Sequence, residues 1–148
     1  MNKTLTKITK ILLDIFFFGG LIVCFTLPLS FKVVGRWYET YDKYYIQMCI
    51  VFFITGMASV YILGQLRKMF KTVLLEDCFV KENVISLKNM GIASIVVAVT
   101  TAVRLFFVIT PATLITIIIF AIAGLFSFVL SQVFEQAVTY KLENDLTI

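Results

Sequence analysis

Two ionisable side chains, Asp14 and Arg104, fall inside long apolar runs of this 148-residue chain. Charge is costly in hydrocarbon, so residues of this kind mark an ion or proton path, a ligand contact or an anchor at the bilayer edge. Asp14 lies near the start of its run, with Lys10 one turn earlier and Arg67 and Lys68 expected at similar height. A local ion pair is the expectation there. Arg104 precedes Thr110 by six residues, which places its backbone roughly 9 Å below the end of its run. It either reaches the headgroups, pairs with Glu39 or Asp42 of the neighbouring loop, or meets an anion or peptide in an outward cavity. Helical rise separates Asp14 and Arg104 in depth by roughly 15 Å, too far for a direct bond. That argues against a proton relay or ion-coupled transporter built from these two alone.

The rest of the inventory is poor in reactive groups. The chain has no histidine, which removes the commonest metal ligand and general base. Its three cysteines, Cys24, Cys49 and Cys78, lack the Cys-x-x-Cys spacing of a zinc or thioredoxin-like site and are read as free thiols. No catalytic, metal-binding or cofactor-binding residues are assigned, and a non-enzymatic protein without a cofactor is expected.

Lipid must surround the elements that position these residues. Sixty per cent of the chain is hydrophobic and 15% charged, where a soluble domain would be nearer half and a quarter. A span takes about 20 apolar residues. Four runs qualify, at residues 11–31, 44–65, 90–109 and 112–133. The last two are separated only by Thr110 and Pro111 and read as a tight hairpin, since one helix of that length would overshoot the bilayer roughly twofold. The first run is too long for a signal-peptide core and lacks a small-residue cleavage site, so it is read as an uncleaved span. The expected fold is all-α: one polytopic domain over residues 1–148, with four transmembrane helices and cytoplasmic helical extensions.

Orientation follows the basic residues. Lys3, Lys7 and Lys10, then Arg67, Lys68, Lys71, Lys81 and Lys88, then Lys141 fall on one side; Lys32, Arg36, Lys43 and Arg104 fall on the other. The richer side is cytoplasmic, so both ends and the central connection are expected in the cytoplasm of a bacterial plasma membrane. The net charge of +4 follows from this asymmetry, and no basic stripe interleaved with aromatics calls for direct nucleic-acid binding.

Small residues mark close helix approach in lipid. Ser94, Ala98 and Ala102 recur every four residues in the third run, as do Ala123, Ser127 and Ser131 in the fourth. An antiparallel alignment sets Ser94 opposite Ser131, Ala98 opposite Ser127 and Ala102 opposite Ala123, about a hairpin centred beside Pro111. Gly19, Gly20, Gly56 and Gly64 are weaker signals of a crossing between the first two spans. Pro28 is placed to kink or end the first span. Trp37, Tyr38, Tyr41, Tyr44 and Tyr45 read as an interfacial aromatic belt.

Two cytoplasmic segments carry both charge and apolar anchors. The connection over residues 66–89 continues the second span as an amphipathic helix with Leu66, Met69, Phe70, Val73 and Leu74 at helical spacing. Asp77 is a plausible N-cap for the next helix. Candidate partner-binding residues here are Arg67, Lys68, Phe70, Lys71, Phe79, Glu82 and Asn83. The basic ones also suit anionic lipid. The tail over residues 134–148 keeps apolar residues at its end, and Glu143, Asn144, Asp145, Leu146 and Ile148 complete the candidate set.

Leu66-Arg67-Lys68-Met69-Phe70, Phe79-Val80-Lys81-Glu82-Asn83-Val84 with Leu87 and Met90-Gly91, and the tail Glu143 to Ile148 together resemble a YoaS-like, uncharacterised family of small four-span bacterial membrane proteins. Cys78 departs from the proline often found at that place. The resemblance implies, by association, a partner for a small helix-turn-helix transcription regulator, since such proteins are commonly encoded beside one. The expected function is therefore regulatory: binding or sequestering a cytoplasmic partner through the connection and tail. The alternatives are immunity against a membrane-active peptide through the outer loop and Arg104, and a transporter accessory subunit. Membrane lipid is the one partner that composition itself demands.

Overall fold

The computed structural model describes residues 3–39 and 43–147. Their secondary structure is helical, with no strand among the described residues. Four long helices follow one another: α1 (Lys3–Gly35), α2 (Tyr45–Leu74), α3 (Lys81–Arg104) and α4 (Pro111–Leu146). Each is long and apolar enough to cross a membrane. The 36 residues of α4 span about 54 Å at helical rise, well beyond a hydrocarbon core of about 30 Å. The excess lies past the apolar runs, where α2 and α4 project as amphipathic extensions.

The four helices form a row. Among the described residues α1 packs on α2, α2 on α3 and α3 on α4, and no other helix pair brings its backbones together. Burial follows this order. Of the apolar window of α1, 6% is buried, against 56% for α3, which sits inside the row and holds more of the core than any other helix. Val97, Ala98, Ser94 and Leu87 of α3 are all buried, and large apolar residues of α1 and α4 face outward.

Glycines set the close approaches. A Cβ on Gly20 would lie 2.9 Å from Val60, and one on Gly56 would lie 2.7 Å from the Cys24 sulfur. Gly64 similarly faces Phe17, so three of the four glycines expected at the α1–α2 crossing are there, while Gly19 faces open space. Cys24 and Cys49 are free and line one apolar groove between these helices. Pro28 neither ends α1 nor separates it from α2; the helix runs on to Gly35, and the Tyr45 hydroxyl donates to the Pro28 carbonyl at 3.0 Å.

The α3–α4 hairpin departs from the expected register. Ser94, Ala98, Ser127 and Ser131 are buried, and Ala102 and Ala123 half-buried. Yet a Cβ on Gly124 would meet Ile95 at 2.8 Å and the Gly91 carbonyl at 3.2 Å, and one on Gly91 would meet the Phe128 ring at 2.9 Å. Gly91 thus lies beside Gly124, where the expected alignment would have set Phe134. The cause is the position of the turn. Helix α3 stops at Arg104, and Leu105, Phe106 and Phe107 make i to i−3 turn bonds. Thr110 is extended (φ −131°, ψ 146°), as the residue before a proline prefers, and Pro111 opens α4. The five apolar residues from Leu105 to Ile109, expected inside a span, therefore form most of the loop.

The α2–α3 turn also differs. Glu76 adopts φ 61°, its amide donates to Val73, and the Asp77 amide donates to Thr72. These paired bonds close α2 with a Schellman motif that carries glutamate where glycine is usual. Asp77 is not the N-cap of α3. That place belongs to Val80, in extended conformation, and Asp77 lies three residues too early.

Candidate functional site

The end of the row that carries both described termini also carries the α2–α3 turn. Lys3 pairs with Glu76 at 2.7 Å, and the Lys141 ammonium donates to the Asp77 carboxylate at 2.7 Å. Phe79 of the turn packs on Phe134 of α4 with ring centroids 5.4 Å apart. Its hydrogen bond to Asp77 holds the Lys141 pKa above its ordinary value. The connection and tail, separate in sequence, are clasped together.

A groove of about 510 Å³ opens between the start of α3 and the end of α4. Val84 and Val138 are buried at its base, and Ile85, Leu142 and Leu146 stand exposed along its sides. On α4, Val138, Leu142 and Leu146 recur every four residues and so share a helix face. Lys81 and Lys88 line the α3 side, and Glu135 and Glu143 the α4 side. Lys88 and Glu135 pair across it at 3.1 Å. Leu146 is 86% exposed, at a place where a free helix end gains nothing from a bare leucine. An apolar trough with charged edges suits a short amphipathic helix, whose apolar face fills it while polar groups meet the rim.

The expected partner-binding residues divide. Phe79, Glu143 and Leu146 belong to this clasp or groove. Asn144 accepts from the backbone amide and hydroxyl of Thr147, and Asp145 is exposed on the same last turn. Ile148 lies outside the described residues. Asn83 is instead a fold residue: it is 1% exposed and donates to the Thr72 hydroxyl and the Cys78 carbonyl, both at 2.7 Å. It ties the turn to α2 and has no side-chain surface to offer. Arg67 is likewise engaged internally. It donates to Asp14 at 2.5 Å and lies over Phe17 at 4.5 Å from the ring centroid, which makes the Asp14 ion pair an α1–α2 link. Lys68, Lys71 and Glu82 are exposed along the α2–α3 seam, and Phe70 is half-buried.

Arg104 lies at the opposite end, its guanidinium 4.8 Å from the Phe52 ring centroid. It lines a cavity of about 160 Å³ with Thr55, Thr101, Thr113 and Thr116. That space is below the range of small-molecule sites. Glu39 forms no ion pair with it, and Asp42, like Tyr41 of the aromatic belt, lies outside the described residues. No group of three or more potential metal ligands occurs among the described residues.

The groove residues Val84, Ile85, Lys88, Glu135 and Val138 were not singled out as binding residues by sequence. The signal was present in the four-residue spacing of Val138, Leu142 and Leu146, which only becomes a trough once α3 is known to lie alongside. A family model described as "Protein of unknown function (DUF2975)" matches residues 29–148. No curated protein and no solved structure matches the chain.

Proposed function

We propose, for a chain that belongs to the DUF2975 family of proteins of unknown function, a non-enzymatic regulatory role in the bacterial plasma membrane. The end bearing both termini faces the cytoplasm, on the excess of lysine and arginine there. The α3–α4 groove holds an amphipathic helical segment of a cytoplasmic protein and keeps that protein at the membrane. The observation that carries this reading is the groove itself, which lies beyond the apolar runs, joins the two charged segments and leaves Leu142 and Leu146 uncovered. The partner's class, a small helix-turn-helix regulator, comes from the family resemblance by association only.

The test is an affinity capture from native membranes, comparing the full chain with one lacking residues 142–148. The truncation spares the Lys141–Asp77 pair and Val138, so the clasp stays intact. Recovery of a small DNA-binding protein by the full chain alone supports the proposal. Equal recovery, or no soluble partner with either chain, refutes it.

A further inference from the structure

We infer that the other seam of α3, the one it shares with α2, is a binding site for one anionic glycerophospholipid, headgroup and acyl chain together. This stands apart from the partner groove and does not depend on it.

The polar half is a pocket of about 540 Å³ whose walls include Gln65, Lys68, Lys71, Glu82, Ser86 and Asn89. Gln65 and Ser86 are each only 4% exposed, and among the described residues neither side chain has a hydrogen-bond partner. Their polar atoms are not sealed in the core but open on this pocket, so both are available to a polar occupant of it. Lys68 and Lys71 form no ion pair among the described residues and supply the charge a phosphodiester needs. Glu82 offers an acceptor for headgroup hydroxyls, and the lining still carries a net positive charge.

The apolar half continues from it. A groove of about 250 Å³ shares Asn89 with the pocket and runs on past Ala58, Tyr61, Ile92, Ala93 and Val96. On α2 the shared face is Ala58, Tyr61, Gln65, Lys68 and Thr72, at alternating steps of three and four residues. On α3 it is Glu82, Ser86, Asn89, Ala93 and Val96, at the same steps. Both stripes keep to one side of their helices. The alanines leave room between the backbones where larger residues would close the seam.

Depth fits as well. Gln65 ends one apolar run and Asn89 directly precedes another, and Lys71 lies six residues further out, about 9 Å by helical rise. That carries Lys71 through a headgroup layer of about 5–7.5 Å, given about 40–45 Å for a whole bilayer and 30 Å for its core. A free phosphate would use only the outer half. The apolar continuation is what selects a lipid, and basic pockets between transmembrane helices are a recognised place for anionic headgroups.

The experiment is native mass spectrometry on the delipidated full chain, offered phosphatidylglycerol or phosphatidylcholine of identical acyl chains. One phosphatidylglycerol per chain, in preference to phosphatidylcholine, is expected. Lys68→Gln/Lys71→Gln should weaken it roughly thirtyfold, each lysine contributing about a factor of five. Ala58→Phe, which fills the apolar groove without touching the lysines, should also weaken it; Ala58→Leu gives the same readout should the larger residue disturb folding. Indifference to headgroup, or retention unchanged in the lysine variant, would overturn the site. Displacement of the lipid by sn-glycerol 3-phosphate, with no effect of either Ala58 variant, would make it a soluble-phosphate site and overturn the lipid assignment.

Discussion

Adding one methyl group at two glycines should move stability in opposite directions. Gly19→Ala places its Cβ in open space, with nothing within 4 Å. It therefore collects the helix-propensity gain of alanine over glycine, about 0.5–1 kcal/mol. Gly91→Ala collects the same gain but places its Cβ 2.9–3.0 Å from three carbons of the Phe128 ring. Carbon atoms rest at about 3.5–4.0 Å, so the ring must retreat by roughly 0.6 Å. A ring is a rigid plate and cannot yield at one atom alone. Overpacking of this kind costs about 1–3 kcal/mol, leaving a net loss of about 0.5–2 kcal/mol. The assay is the unfolding free energy in detergent micelles titrated with SDS, comparing both variants with the parent. Phe128→Leu in the Gly91→Ala background should recover part of the loss, giving a coupling of about 0.5 kcal/mol or more between the two positions. If both alanine variants change stability by the same amount, the close approach of α3 and α4 at Gly91 is wrong.

Glu76→Gly should stabilise the α2–α3 turn by about 1 kcal/mol, because glutamate pays for a left-handed backbone that glycine adopts freely. The exposed Lys3–Glu76 pair lost with it returns little; a lower unfolding free energy in the same titration would refute this. The Lys141–Asp77 clasp should be constant from neutral pH upward and fail only in strong base. Its lysine has a raised pKa, so the contact is fully present below the ordinary lysine value and is lost as pH rises through the raised one. Hydrogen exchange of residues 138–146 checks it, and tail protection that falls between pH 7 and 9 would contradict the assignment.

The helices were legible in the sequence because length and hydropathy decide whether a segment spans a bilayer, and each of the four runs falls largely within one long helix. Their lateral order was not. Hydropathy does not distinguish a helix flanked by two neighbours from one facing lipid on nearly all sides, although the lower hydropathy of α3 agrees with its central place. The small-residue stripes identified the buried faces, but the register was lost at Leu105 to Ile109, apolar residues that look like span and form a loop. Asp77 shows another limit. Cap preference depends on where the backbone turns, and Glu76 in a left-handed conformation moved that point. Asn83 reads as a surface group by type, and only its partners Thr72 and Cys78 reveal it as an internal tie, whereas Arg67 makes the local ion pair with Asp14 that their shared height suggests.

A row in which, among the described residues, each helix packs only on its predecessor and successor completes every interface with the segment made next. When α2 emerges, its partner α1 is already present; α3 then docks on α2, and α4 on α3. No helix–helix interface waits for more than the next helix, and the closing segments, 36–44, 75–80 and 105–110, are short enough to add little closure entropy. The order of synthesis is thus the order of assembly. The α3–α4 groove needs α4, so it forms only after the other three helices are in place. A chain cut short before α4 would keep the α1–α2 and α2–α3 interfaces and have no α3–α4 groove.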